Sequence, residues 1–132
     1  MNAGGGRQGK KITNDDKTFS ITTTATMRQD VENPIVGFSI KNASGTQLLG
    51  TNNKIKKQNL PVMKAGDKVT VTWTVPNVFT DGKHYVDVAI IYKDGTAVAD
   101  WWEEAAVFNA LQEEKTPYVV APPIELKISR KE

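Results

Sequence analysis

The chain of 132 residues contains no cysteine, a single histidine and no long apolar run. Without thiols the core is not stapled by disulfides, and a thiolate metal site is excluded. No apolar stretch reaches the roughly 18 residues that a membrane-spanning helix needs. Net charge is also small: 17 basic and 15 acidic side chains leave a formal +2. That excess is too small to argue for nucleic acid or an anionic membrane as partner. The opening stretch "MNAGGGRQGKK" has no apolar segment of the signal-peptide kind. His84 would have to serve any catalytic triad, and no G-x-S-x-G elbow accompanies it. It has no neighbours at metal-ligand spacing either, so it reads as a structural or surface residue. No motif calls for a cofactor.

What the chain does have is alternation. "FSITTTATM" places Phe19, Ile21, Thr23, Ala25 and Met27 on one face and Ser20, Thr22, Thr24 and Thr26 on the other. "PIVGFSIKN" aligns Val36, Phe38 and Ile40 and runs into a turn at "NASG". "TQLLGTN" is a short strand. "DKVTVTWTVP" sets Val69, Val71, Trp73 and Val75 against Thr70, Thr72 and Thr74. "KHYVDVAIIYKDG" aligns Val86, Val88, Ile90 and Tyr92 and ends at an Asp-Gly turn. "AAVFNAL" and "PIELKIS" complete seven short runs of period 2, separated by Gly, Asn, Asp and Pro signals. Such a pattern predicts an all-β sandwich or barrel. Only "ADWWEEAAVFNALQEEK" has the Ala, Leu and Glu content of a helix. Residues 1–18, glycine-rich and unpatterned at their start, read as a flexible entry segment, and residues 19–132 as one domain.

Several motifs resolve to plain readings. "GGGRQGKK" fits a phosphate loop from Gly4 to Lys10, but Lys11 stands where Ser or Thr is needed. No strand precedes it and no helix follows, so it reads as linker. Asp100, Glu103, Glu104, Glu113 and Glu114 could supply a glycosidase pair, yet acidic loops are common and the required separation is not a property of sequence. Residues 54–68 carry five lysines and one aspartate, and residues 100–114 five carboxylates and no base; both read as solvated faces. "NASG" is also a glycosylation sequon at Asn42, though as a turn it needs no glycan. The threonine rows would share one sheet face if their strands pair, either as a solvated face or as a hydroxyl-rich binding or dimer surface.

The tryptophans pose the sharper question. Trp73 is in register with valines and reads as core. Trp101 and Trp102 are adjacent, and neighbours on a strand point to opposite faces. One of them should therefore face outward beside Asp100, Glu103 and Glu104. A flat exposed ring next to carboxylates suits a sugar, whose C–H face packs on the ring while its hydroxyls donate to the acids. It equally suits an aromatic at a sandwich edge or a dimer seam.

Three stretches in order carry a resemblance. "ENPIVGFSIKNASGTQLLGTNN", "LPVMKAGDKVTVTWTVPNVFTDGKHYVDVAI" and "ADWWEEAAVF" are similar to segments of the C-terminal carbohydrate-binding domain of Wzt-type ATPases, the nucleotide-binding subunits of O-antigen polysaccharide ABC exporters. The resemblance covers about residues 19–111. It implies an all-β, immunoglobulin-like antiparallel β-sandwich, not an enzyme, that binds the non-reducing end of a finished glycan at the inner face of the plasma membrane. It implies a homodimer, an ATPase domain and a membrane transport subunit as partners, and in some members a C-terminal strand exchanged between protomers. Residues 1–18 look too short for the family's usual first strand pair. The tail "TPYVVAPPIELKISRKE" departs from the usual ending, and its residues 123–129 are expected to form a strand, exchanged or not.

The carbohydrate-binding residues expected from this reading are Tyr85 and Asp87 on the "HYVDVAI" strand, Asp100, and Trp101 or Trp102. The alternative is a structural or adhesion Ig-like module with no glycan pocket.

Overall fold

The computed structural model describes residues 2–3, 10–92 and 99–130. The alternating segments become strands in two sheets. A three-stranded sheet holds β1 (Asn2–Ala3), β3 (Thr18–Thr26) and β6 (Lys68–Pro76) in the order β1-β3-β6. A five-stranded sheet holds β2 (Lys10–Thr13), β4 (Ile35–Asn42), β5 (Gln47–Asn52), β7 (Gly82–Ile91) and β8 (Ala99–Leu111) in the order β2-β8-β7-β4-β5. The helix-compatible stretch around Trp101 is β8, because its inward places are filled and it pairs along β7. No helix among the described residues is long and apolar enough to cross a membrane.

Burial follows the period of two. On β3, Phe19, Ile21, Thr23 and Ala25 are buried while Ser20, Thr24 and Thr26 are exposed. Val36, Phe38 and Ile40 of β4 and Val86, Val88 and Ile90 of β7 line the space between the sheets. Trp73 is core, with its ring centroid 4.8 Å from that of Phe38; such a pair contributes about 0.5–1.5 kcal/mol beyond the area buried. Phe19, Phe79 and Phe108 form a second aromatic group with centroids 5.1–5.8 Å apart. His84 belongs to it. Its ring stacks on Phe108 at 5.1 Å, and Nδ1 lies 3.1 Å from the carbonyl of Gly82. Burial pushes the His84 pKa below its ordinary value, the Gly82 contact opposing this in part.

The threonine rows do pair. β3 and β6 run antiparallel with Thr22 opposite Thr72 and Thr24 opposite Thr70. The facing hydroxyls are 3.2 and 3.1 Å apart on the outer surface. The "NASG" turn is built by the sequon asparagine itself, whose Oδ1 accepts from the N–H groups of Ser44 and Thr46. Gly45 takes a φ of 85° there, a conformation that costs glycine little. The Asp94–Gly95 turn lies outside the described residues.

Three expectations need correction. Residues 10–18 are not a loose entry: β2 pairs in parallel with Phe108–Leu111 of β8 and buries Ile12 completely. Asn77 then ties down the chain that follows, donating to the carbonyls of Thr13 and Asp16. With β1 pairing in parallel to Thr22–Thr23, both sheets are mixed rather than antiparallel throughout. At the other end, residues 123–129 form no strand within the chain. Val120 bridges to Phe79, and beyond it Ile124, Leu126 and Ile128 are 81–83% exposed. Alternation alone cannot hold a strand that finds no edge.

Candidate functional site

The outer face of the five-stranded sheet is shaped by which residues the pleat turns outward. Register places Trp101 of β8 beside Ala89 of β7, Ala89 beside Gly37 of β4, and Gly37 beside Asn52 of β5. The neighbouring row is Asp87, Ser39 and Gly50. On the other side lie Ile91 and Ile35. Small residues therefore occupy the middle of the sheet, and larger ones stand around them. The result is a groove of about 290 Å3, near the low end of the range for ligand pockets, roughly 300 Å3. Ile55, on the loop after β5, closes one side, and Trp101 stands 61% exposed on another.

Two glycines keep the floor low by necessity. A Cβ on Gly50 would lie 2.6 Å from the carbonyl oxygen of Phe38, and one on Gly37 would lie 2.9 Å from both Thr51 O and Asn52 Cβ. Both contacts are closer than van der Waals packing allows, so β4 and β5 approach here only without side chains.

Asp87 is the sole ionisable residue lining the groove among the described residues. It is 3% exposed. Its Oδ1 accepts the backbone N–H of Glu104 at 2.7 Å, and its Oδ2 lies 3.5 Å from Lys41 Nζ. Opposite Asp87 the β7–β8 register shifts, so that β8 runs from Trp102 to Ala106 while β7 runs from Val88 to Val86. Glu104 sits in this bulge with φ of 52°. The carboxylate thus holds a bulge next to a site, a common use of such irregularities.

The structure separates the five expected residues. Trp101 and Asp87 meet in the groove. Tyr85 is on the same face of β7, half-buried one row further along beside Lys41, and does not line the groove. Trp102 and Asp100 have the opposite parity and fall on the other side of β8, opposite Val88 and Ile90. Trp102 remains 40% exposed, so the inward tryptophan does not fill the core. Asp100 is engaged elsewhere: it accepts from Arg28 Nε at 3.0 Å and, closely, from the Tyr92 hydroxyl. Arg28 also lies over the Tyr92 ring, 5.3 Å from its centroid. Burial, followed by the bond to Asp100, raises the Tyr92 pKa. The acid beside the outward ring is therefore Asp87 and not its sequence neighbour.

Sequence reasoning missed Gly37, Ser39, Gly50, Asn52 and the isoleucines. The signal was present in the two glycines inside strand patterns, which mark a close backbone approach. Among the described residues no cluster of His, Asp or Glu could hold a metal ion.

Two mixed sheets packed face to face, with a hollow on the outer face of the larger one, define a β-sandwich. The chain belongs to the Wzt C-terminal domain family, whose model matches residues 2–120. The fold agrees with the crystal structure of the C-terminal domain of wzt: the TM-score is 0.77 at 14% identity, over 90% of this chain and 74% of that one. No curated protein sequence matches the chain.

Proposed function

We propose that this domain binds carbohydrate without cleaving it and serves a polysaccharide exporter of the O-antigen type. In that setting it recognises the non-reducing end of the finished glycan at the inner face of the plasma membrane. Its partners there are an ATPase domain, a membrane transport subunit and a second copy of itself. Membership of the Wzt C-terminal domain family supports the setting. The observation that carries the binding reading is Trp101, an exposed ring standing over a floor of Ala89, Gly37 and Ser39. A pyranose can lay its C–H face on the indole while Asp87, Ser39 and Asn52 meet its hydroxyls. A module with no glycan site would not need a sheet emptied of side chains at its centre.

The test is a titration of the source organism's own polysaccharide, followed by calorimetry and by NMR shifts. A single shallow site gives micromolar to millimolar affinity, about −4 to −8 kcal/mol. Trp101→Ala should abolish the response. A parent protein that shows neither heat nor shifts with its own polysaccharide would rule the reading out.

A further inference from the structure

The groove has two unlike edges. Rows on one face of a strand are two residues apart, about 7 Å. A ring stacked on Trp101 over Ala89 and Gly37 therefore has one row on each side. The row of Asp87 and Ser39 is polar, and Asn52 adds an amide at the end of the middle row. Asn52 Oδ1 already accepts from the Ile55 N–H at 2.8 Å, which leaves the amide NH2 to donate. The other row is Ile91 and Ile35, and Ile55 lines the same groove from its loop. No hydroxyl, amide or charge belongs to these three side chains.

An ordinary hexose presents ring hydroxyls along one edge and a hydroxymethyl group on another. Seated with its ring hydroxyls on the polar row, it would push that hydroxymethyl group toward isoleucine. The hydroxyl would lose water and gain no partner, and an unpaired polar group is penalised more than a missing one. A methyl group in the same place is buried favourably. Building on the carbohydrate reading, we propose that the groove selects a 6-deoxyhexose. Its methyl group packs on Ile35, Ile91 and Ile55, and its ring hydroxyls face Asp87, Ser39 and Asn52.

The experiment compares sugars that differ by one oxygen. Methyl rhamnoside against methyl mannoside, and methyl fucoside against methyl galactoside, each in matched enantiomeric series, are titrated into the full chain by NMR. In at least one pair the deoxy sugar should bind about tenfold more tightly, the worth of one unpaired hydroxyl. Shifts should centre on Gly37, Ala89 and Trp101. Ile91→Thr should bring the ratio toward one. Ile55→Thr, at an exposed loop position that does not threaten folding, should do so as well. The proposal is overturned if the hydroxymethyl sugar binds as tightly in every pair, or if none of the glycosides shifts a resonance. In either case a polysaccharide that still perturbs Trp101 leaves the carbohydrate reading standing. If no polysaccharide does so, both fall together.

Discussion

The carboxylate of Asp87 accepts the backbone N–H of Glu104 at 2.7 Å, joining β7 to the bulge of β8 that follows the two tryptophans. The residue is 3% exposed, and Lys41 Nζ lies 3.5 Å from its second oxygen. Removing the acceptor would leave a partly buried N–H and a partly buried ammonium without it. Asp87→Ala should therefore destabilise the domain by about 2–4 kcal/mol. Asp87→Asn keeps an oxygen for Glu104 but turns an NH2 group toward Lys41 in place of the second acceptor, so it should lose less stability than the alanine variant. Urea unfolding of the two variants checks this; equal losses would mean that the bulge does not depend on the acceptor.

The tryptophans separate by face. Trp101→Ala removes an exposed ring and should change stability by less than about 1 kcal/mol, while eliminating glycan binding. Trp102→Ala, on the far side of β8 and 40% exposed, should leave binding intact. It should also be less destabilising than the 3–5 kcal/mol typical of a buried aromatic, at about 1–2 kcal/mol. Paired melting and binding measurements distinguish the two.

Gly50→Ala addresses the shape of the groove. The added methyl would meet the Phe38 carbonyl oxygen at 2.6 Å and Ser39 Cα at 3.0 Å, both of which are backbone. Neither can swing aside, so the β4–β5 ladder must open. A loss of about 1–3 kcal/mol is expected, in line with overpacking elsewhere. Thermal unfolding reads the loss, and glycan titration should show weaker binding alongside it.

These relationships divide into what alternation reveals and what it does not. The β-sandwich was legible because β3, β4, β6 and β7 each repeat apolar and polar residues over at least eight positions. The threonine rows were legible as one face only on condition that their strands pair; that they do, with Thr22 opposite Thr72, comes from the structure. β2 was invisible because Lys10–Thr13 offers one apolar residue, Ile12, and a period cannot be read from one point. The tail misled for the opposite reason: Ile124, Leu126 and Ile128 alternate well, but a strand also needs a neighbour. At the site, parity put the two tryptophans on opposite faces. It could not say that β8 lies open where Trp102 stands, nor that Asp100 would turn to Arg28 and Tyr92. Those facts depend on contacts between residues 72 and 8 positions apart. Gly37 and Gly50 were the readable clue to the groove, since a glycine within a strand has little other use.

His84 makes stability depend on pH in a definite direction. Its pKa is lowered in the fold, chiefly by burial, from an ordinary 6.5. The unfolded chain then binds a proton at a higher pH than the native one does. Stability from this residue is complete above about pH 6.5 and falls as the pH drops toward the folded value. Unfolding free energies measured from about pH 8 to 5 should decline on the acid side. His84→Phe preserves stacking with Phe108 and should remove that component of the slope. A slope unchanged by the substitution would assign the pH dependence to other groups.

The tail offers the last prediction. After Val120 bridges to Phe79, the chain leaves through Pro122 and Pro123, and three apolar side chains are 81–83% exposed at alternate positions. The prolines cannot donate to a ladder and stiffen the exit, which disfavours folding back on the same molecule. β5 and β6 end their sheets and each presents an unpaired edge. A two-fold pair could exchange tails, each covering one such edge. Burying three apolar side chains per tail contributes about 4–9 kcal/mol before ordering is subtracted. A chain ending at Ala121 keeps the Phe79 bridge, so its own fold should remain intact. Light scattering should then find the parent as a dimer and the shortened protein as a monomer with an unchanged two-sheet core by circular dichroism. A shortened protein that stays dimeric would show that the subunits meet elsewhere, with the threonine face of β3 and β6 the next surface to examine.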